Sequence, residues 1–137
     1  MIRYEHAPDI QEAVKELAIR LNIRHDFSRI VCIRSRGSKS RRTLARCHAL
    51  PRIMQKALNV KAHYVIEAIG ENFDSLGDEE KVKTLIHEIM HIPKSFGGGF
   101  RHHDYVCKRN VEALYRQLQR SQPTRSHVLQ ADSRQQV

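Results

Sequence analysis

The sequence predicts a small single-domain α+β fold, with a short mixed or antiparallel sheet packed on helices. Three observations carry that expectation. The chain has 137 residues, enough for one modest core and too few for two. Hydrophobic residues make up 40% and charged residues 28%, the balance of a globular chain. The elements read from periodicity run helix, strands, helix, strand, helix, helix.

The first helix is announced by Pro8 and by Asp9 with Glu12 three residues on, the pattern of a capping box, and it stops near Asn22. Its apolar positions Ile10, Ala13, Val14, Leu17, Ala18 and Leu21 recur at helical spacing and predict a core-facing stripe. A strand is expected over Arg29–Arg34, an exposed basic loop over Ser35–Arg42 and a second strand over Thr43–Leu50. Pro51 opens a short helix to about Leu58, because proline fits a first helical turn. Ala62–Ile69 reads as a third strand and Asn72–Gly77 as a loop. A helix from Asp78 to about His91 is stopped by Pro93, a glycine-rich loop covers Pro93–Gly99, and a last helix runs from His103 to Arg120. Residues 1–120 are thus expected to form the domain, and the polar stretch 121–137 a disordered tail.

The charge is uneven. The net charge is +9, and residues 27–66 contain ten basic side chains and no acidic one. Such a segment attracts polyanions, so Arg34, Arg36, Lys39, Arg41, Arg42 and Arg46 are candidates for contacts to DNA or another polyanion within 29–61. No aromatic residue interleaves the run, which argues against base stacking. No apolar stretch approaches the roughly 18 residues of a membrane span, and MIRYEHAPDI does not read as a signal peptide. Cys32, Cys47 and Cys107 form no CxxC pair. The expectation is a cytoplasmic protein with reduced thiols and no membrane partner.

His87–His91 reads HEIMH, an HExxH. Residues four apart on a helix differ by about 40° of rotation and one turn of rise, so two imidazoles converge on one ion. Zinc suits nitrogen ligands and leaves a position open for water. Glu88, between them, is placed to take a proton from that water rather than to bind the ion. Val82, Leu85, Ile86 and Ile89 anchor the same helix to the core. The third ligand is sought downstream: His103 first, brought back by the glycine loop, then His102, then Glu112. Asp104 is read as a cap or as a partner fixing a liganding histidine, and Arg101 and Tyr105 as surface and packing residues or as groups facing a substrate carbonyl.

The stretch 62–115, together with ARCHALPRIMQKAL at 45–58, resembles a metallopeptidase family found in archaea and phages, in HExxHIP, a Gly-Gly turn and Arg-x-His. The resemblance covers most of residues 29–116, and Asp104 stands where the family has glycine. It implies a zincin-like fold with the HExxH helix in the core and one Zn2+ held by His87, His91 and His103. It also implies Glu88 as catalytic acid/base and a polypeptide substrate. A more distant similarity is to the SprT/Spartan minimal zincins, which cleave proteins crosslinked to DNA; by that analogy the basic segment would serve DNA-associated substrates. In zincin-like folds a strand such as Ala62–Ile69 can pair with the substrate backbone. The function expected is therefore zinc-dependent peptide hydrolysis. A nucleic-acid-binding module on an inactive or structural zincin core is the alternative, with a metal sensor or regulator as a third reading.

Overall fold

The computed structural model describes residues 1–121, so the expected disordered tail lies, apart from Ser121, outside the described residues. The elements are β1 (Arg3–His6), α1 (Pro8–Arg20), a 3-10 turn (Phe27–Arg29), β2 (Ile30–Arg36), β3 (Ala45–Ala49), α2 (Arg52–Leu58), β4 (Tyr64–Ile69), α3 (Gly70–Phe73), α4 (Asp78–Met90) and α5 (Lys108–Arg120). The four strands form one mixed sheet in the order β1-β2-β4-β3. β2 and β4 run parallel, and β1 and β3 pair antiparallel with them. The fold is a small single-domain α+β structure, as the sequence predicts. No helix among the described residues is long and apolar enough to cross a membrane.

The predicted stripe of α1 is buried throughout, from Ile10 to Leu21. It packs with Ile30 and Cys32 of β2, Tyr64 and Ile66 of β4, and Leu85, Ile86 and Ile89 of α4 in one core. Each large apolar side chain so buried contributes about 1.5–3 kcal/mol. Val111 and Leu118 extend the core to α5. On the other face of the sheet Val31, Ile33 and Val65 are only half-buried.

Several expectations about local structure are corrected. Asp9 is not the cap of α1: Ala7 is, Pro8 takes the first helical turn, and Asp9 turns outward to Arg34. Proline's fixed φ and missing N–H favour that position. β2 continues through Ser35 and Arg36, two residues that read as loop, because β1 pairs with them from Arg3 to His6. β1 itself is fully exposed and carries no apolar pattern by which it could be read. α3 is a further short helix where strand and loop were expected to meet. α5 begins at Lys108 rather than His103, and the residues before it form a turn in which the His102 carbonyl accepts from Tyr105 and Val106.

Candidate active site

α4 carries the HExxH at its C-terminal end. Its buried stripe of Val82, Leu85, Ile86 and Ile89 fixes the rotation of the helix. His87 and His91 then point roughly 140–180° away from the stripe's centre, out of the core. Pro93 ends the helix, and its last turn tightens: His91 N–H donates to Glu88 and Ile92 N–H to Ile89.

The chain then reverses. Phe96 and Gly98 take positive φ values of 52° and 107°. At φ 107° Gly98 sits in a backbone region that L side chains rarely adopt, so a substitution there is strained. Tyr64, fully buried on β4, pins this loop by its hydroxyl, which accepts from Gly98 N–H at 2.9 Å and donates to the Gly99 carbonyl at 2.7 Å. Arg101 closes the reversal. Its N–H donates to the His91 carbonyl, and its carbonyl accepts from His91 Nδ1, both at 2.8 Å. His103 follows two residues later and arrives over the end of α4.

His87, His91 and His103 each offer one ring nitrogen, and the three atoms lie within 4.8 Å of one another. The His91 Nδ1 contact is to a carbonyl, which only accepts, so Nδ1 carries the proton and Nε2 presents its lone pair. Nε2 of His91 lies 3.3 Å from Nε2 of His87. Two ligands each about 2.0–2.1 Å from a tetrahedral zinc are separated by about 3.3–3.4 Å. Burial, with His91 and His103 alongside, lowers the pKa of His87 and favours its neutral, ligating form. The donor set therefore fits a transition metal, and these three residues could hold one.

Glu88 is 5% exposed and has no side-chain hydrogen bond among the described residues. Burial raises its pKa to about 7. A cavity of about 360 Å³ lies over the triad, walled by Ala45, Arg46 and Cys47 of β3 and by Phe100 and Arg101. A second, of about 630 Å³, adjoins it and shares Ala45, His87 and Glu88. Together they make one cleft along β3.

β3 is an edge strand. The hydrogen bonds of Leu44 to Ile69 and of Leu50 to His63 set the ladder. Bonded pairs alternate in an antiparallel ladder, so residues 44, 46, 48 and 50 face β4. The N–H and C=O groups of Ala45, Cys47 and Ala49 point out along the free edge. The strand expected to meet substrate, Ala62–Ile69, has no such edge, because β2 and β3 flank it on both sides.

His102 lines the cleft but is not part of the triad. Glu112 is held by Lys83 at 2.9 Å. Asp104 accepts from the Tyr105 N–H, a turn contact. Arg101 stacks on Tyr105, 3.4 Å from the ring centre. Of the basic candidates, Arg34 is bound by Asp9 and Asp74, Arg36 by Glu5 and Asp74, and Arg46 lies 3.9 Å from Glu67. Lys39, Arg41 and Arg42 are exposed. Tyr64 and the β3 edge are site features that sequence reasoning missed.

A helix-borne histidine pair completed by a looped-back third histidine, beside a buried glutamate and a strand edge, makes a candidate metal centre in a small α+β protein. The particular family follows from comparison: the chain belongs to the family described as "Putative phage metallopeptidase", matched over residues 2–125. Membership implies a metal ion and a polypeptide substrate. No curated protein and no solved structure matches the chain.

Proposed function

We propose that this protein is a zinc-dependent peptidase in which His87, His91 and His103 hold the ion and Glu88 moves the proton. The observation that carries the reading is the assembly of three imidazole nitrogens within 4.8 Å from two separate segments, with Glu88 buried against them. When bound, zinc supplies a Lewis acid that polarises the scissile carbonyl and makes water a better nucleophile.

The chain's own groups do the rest. The outward N–H and C=O groups of Ala45, Cys47 and Ala49 hydrogen-bond an extended substrate as an added strand. That register lays the peptide across His87 and Glu88, which line both halves of the cleft. The Glu88 carboxylate accepts a proton from water as its oxygen attacks the carbonyl carbon. It returns that proton to the amide nitrogen as the C–N bond breaks. The Arg101 carbonyl keeps His91 in the ligating tautomer throughout.

Glu88→Gln should keep stoichiometric zinc by elemental analysis and lose hydrolysis of a model peptide by about 10²–10⁴-fold. His91→Ala and His103→Ala should lose the metal. A His103→Ala protein that binds zinc as tightly as wild type would place the third ligand elsewhere.

A further inference from the structure

The ten cations of residues 27–66 are not equivalent. Arg29, Arg34, Arg36 and Arg46 face acidic partners in the fold. Lys39, Arg41, Arg42, Arg52, Lys56 and Lys61 are exposed, and none has an ion pair among the described residues. These six fall into two groups by position in the fold. Lys39, Arg41 and Arg42 lie in the loop that enters β3, a loop tied down by Asn72 through the carbonyls of Ser40 and Thr43. Arg52 and Lys56 lie on α2, which leaves the other end of β3, and Lys61 precedes β4 at that same end of the sheet. A strand of five residues spans roughly 17 Å. The free charges therefore bracket the edge strand along which the cleft runs.

We propose that the substrate is an acidic polypeptide, with Asp or Glu residues on both sides of the scissile bond met by these two cationic groups. The inference rests on the peptidase reading above and narrows its substrate class. A chain added to β3 and extending beyond it runs toward both groups, because they lie in the segments that enter and leave the strand. The cleft between them mixes the carboxylates Glu80, Glu88 and Glu112 with Lys83 and Lys108, and Lys83 pairs with Glu112. It therefore gives a line of phosphates no continuous cationic track from one group to the other, whereas acidic residues at the two flanks need none. Residues 29–61 also offer no aromatic ring for base stacking. An acidic peptide thus fits this surface better than a nucleic acid does.

The test uses the zinc-loaded protein and three internally quenched peptides with one common centre and flanks of Glu, Ser or Lys. Each exposed ion pair changes affinity by about 1.5- to 5-fold, so several together favour the Glu-flanked peptide over the Ser-flanked one by about tenfold or more in kcat/KM at low salt. The advantage should collapse at about 0.3 M salt, where the screening length falls to roughly 6 Å. Arg41→Glu/Arg42→Glu and Arg52→Glu/Lys56→Glu should each reduce the preference while leaving turnover of the Ser-flanked peptide unchanged. Fluorescence anisotropy on the Glu88→Gln protein gives the same ranking without catalysis. Equal binding and equal cleavage of Glu- and Ser-flanked peptides at low salt overturns the inference and leaves the peptidase reading intact. Single- or double-stranded DNA that displaces the Glu-flanked peptide at lower concentration than the unlabelled peptide itself also overturns it. Charge-ranked binding with no cleavage by the wild type keeps the surface and removes the peptidase reading, and neither binding nor cleavage removes both.

Discussion

At the scale of single residues, the site depends on groups whose roles differ in how far they reach along the chain. His87, Glu88 and His91 lie within about one helical turn, so their spacing alone marks them as candidates. His103 was legible because a glycine-rich loop separates it from Pro93 and permits a reversal. The Tyr64 hydroxyl, by contrast, clamps backbone 34 and 35 residues downstream, and no local pattern encodes such a contact. Tyr64→Phe keeps the ring that packs on Phe96 and removes only the clamp. It should lower stability by about 1–3 kcal/mol in urea unfolding, the range for a buried polar group losing its partner. Zinc affinity should fall in competition with a chelating dye, because the loop that carries Arg101 and His103 loosens. Unchanged affinity would mean that the His91–Arg101 bonds hold the loop unaided.

At the scale of elements, the core stripes of α1 and α4 were readable because 3.6-residue periodicity records which face is buried. Strands with a single apolar face, or none, are recorded less well. β1 has no buried residue, and β3 alternates between half-buried and exposed residues. The expected α5 ran five residues too far, because the turn at 103–107 contains no glycine or proline to mark where the helix begins. A side chain also completes the sheet where β1 ends. Gln11 of α1 donates to the Ile30 carbonyl at 2.7 Å and accepts from Cys32 N–H at 2.8 Å, in place of a strand. Gln11→Ala leaves both backbone groups without that partner and should cost about 2–4 kcal/mol by thermal or urea unfolding. A cost below about 0.5 kcal/mol would show that water replaces the amide there without loss.

Across the whole molecule, the charge distribution has two parts that composition merges into one. Arg34 joins three elements: it bonds Asp9 of α1 from β2, and Asp74 just beyond α3. The Arg34 hydrogen bonds hold the Asp9 carboxyl below its ordinary value of 3.8. A lowered carboxylate pKa stabilises the fold above the unfolded value, and that contribution disappears as pH falls through the folded one. Asp9→Asn should therefore lower Tm at neutral pH and flatten the fall of Tm between about pH 5 and pH 3. The effect is small, about 1 kcal/mol at most, because Asp9 is half exposed. Two curves of equal slope would show that Arg34 serves packing alone. The sequence revealed the excess of cations but not which of them the fold neutralises, since Asp9 and Asp74 lie 25 and 40 residues from Arg34.

The outward-facing edge of β3 has a consequence for how copies of the protein meet. Bare strand edges invite self-pairing into ribbons, and here such pairing would also bury both clefts. Two copies joined in parallel along β3 set each cationic group against its own copy, and two joined antiparallel set Arg41 and Arg42 against Arg52 and Lys56. Repulsion at both ends of the seam opposes that edge-to-edge pairing.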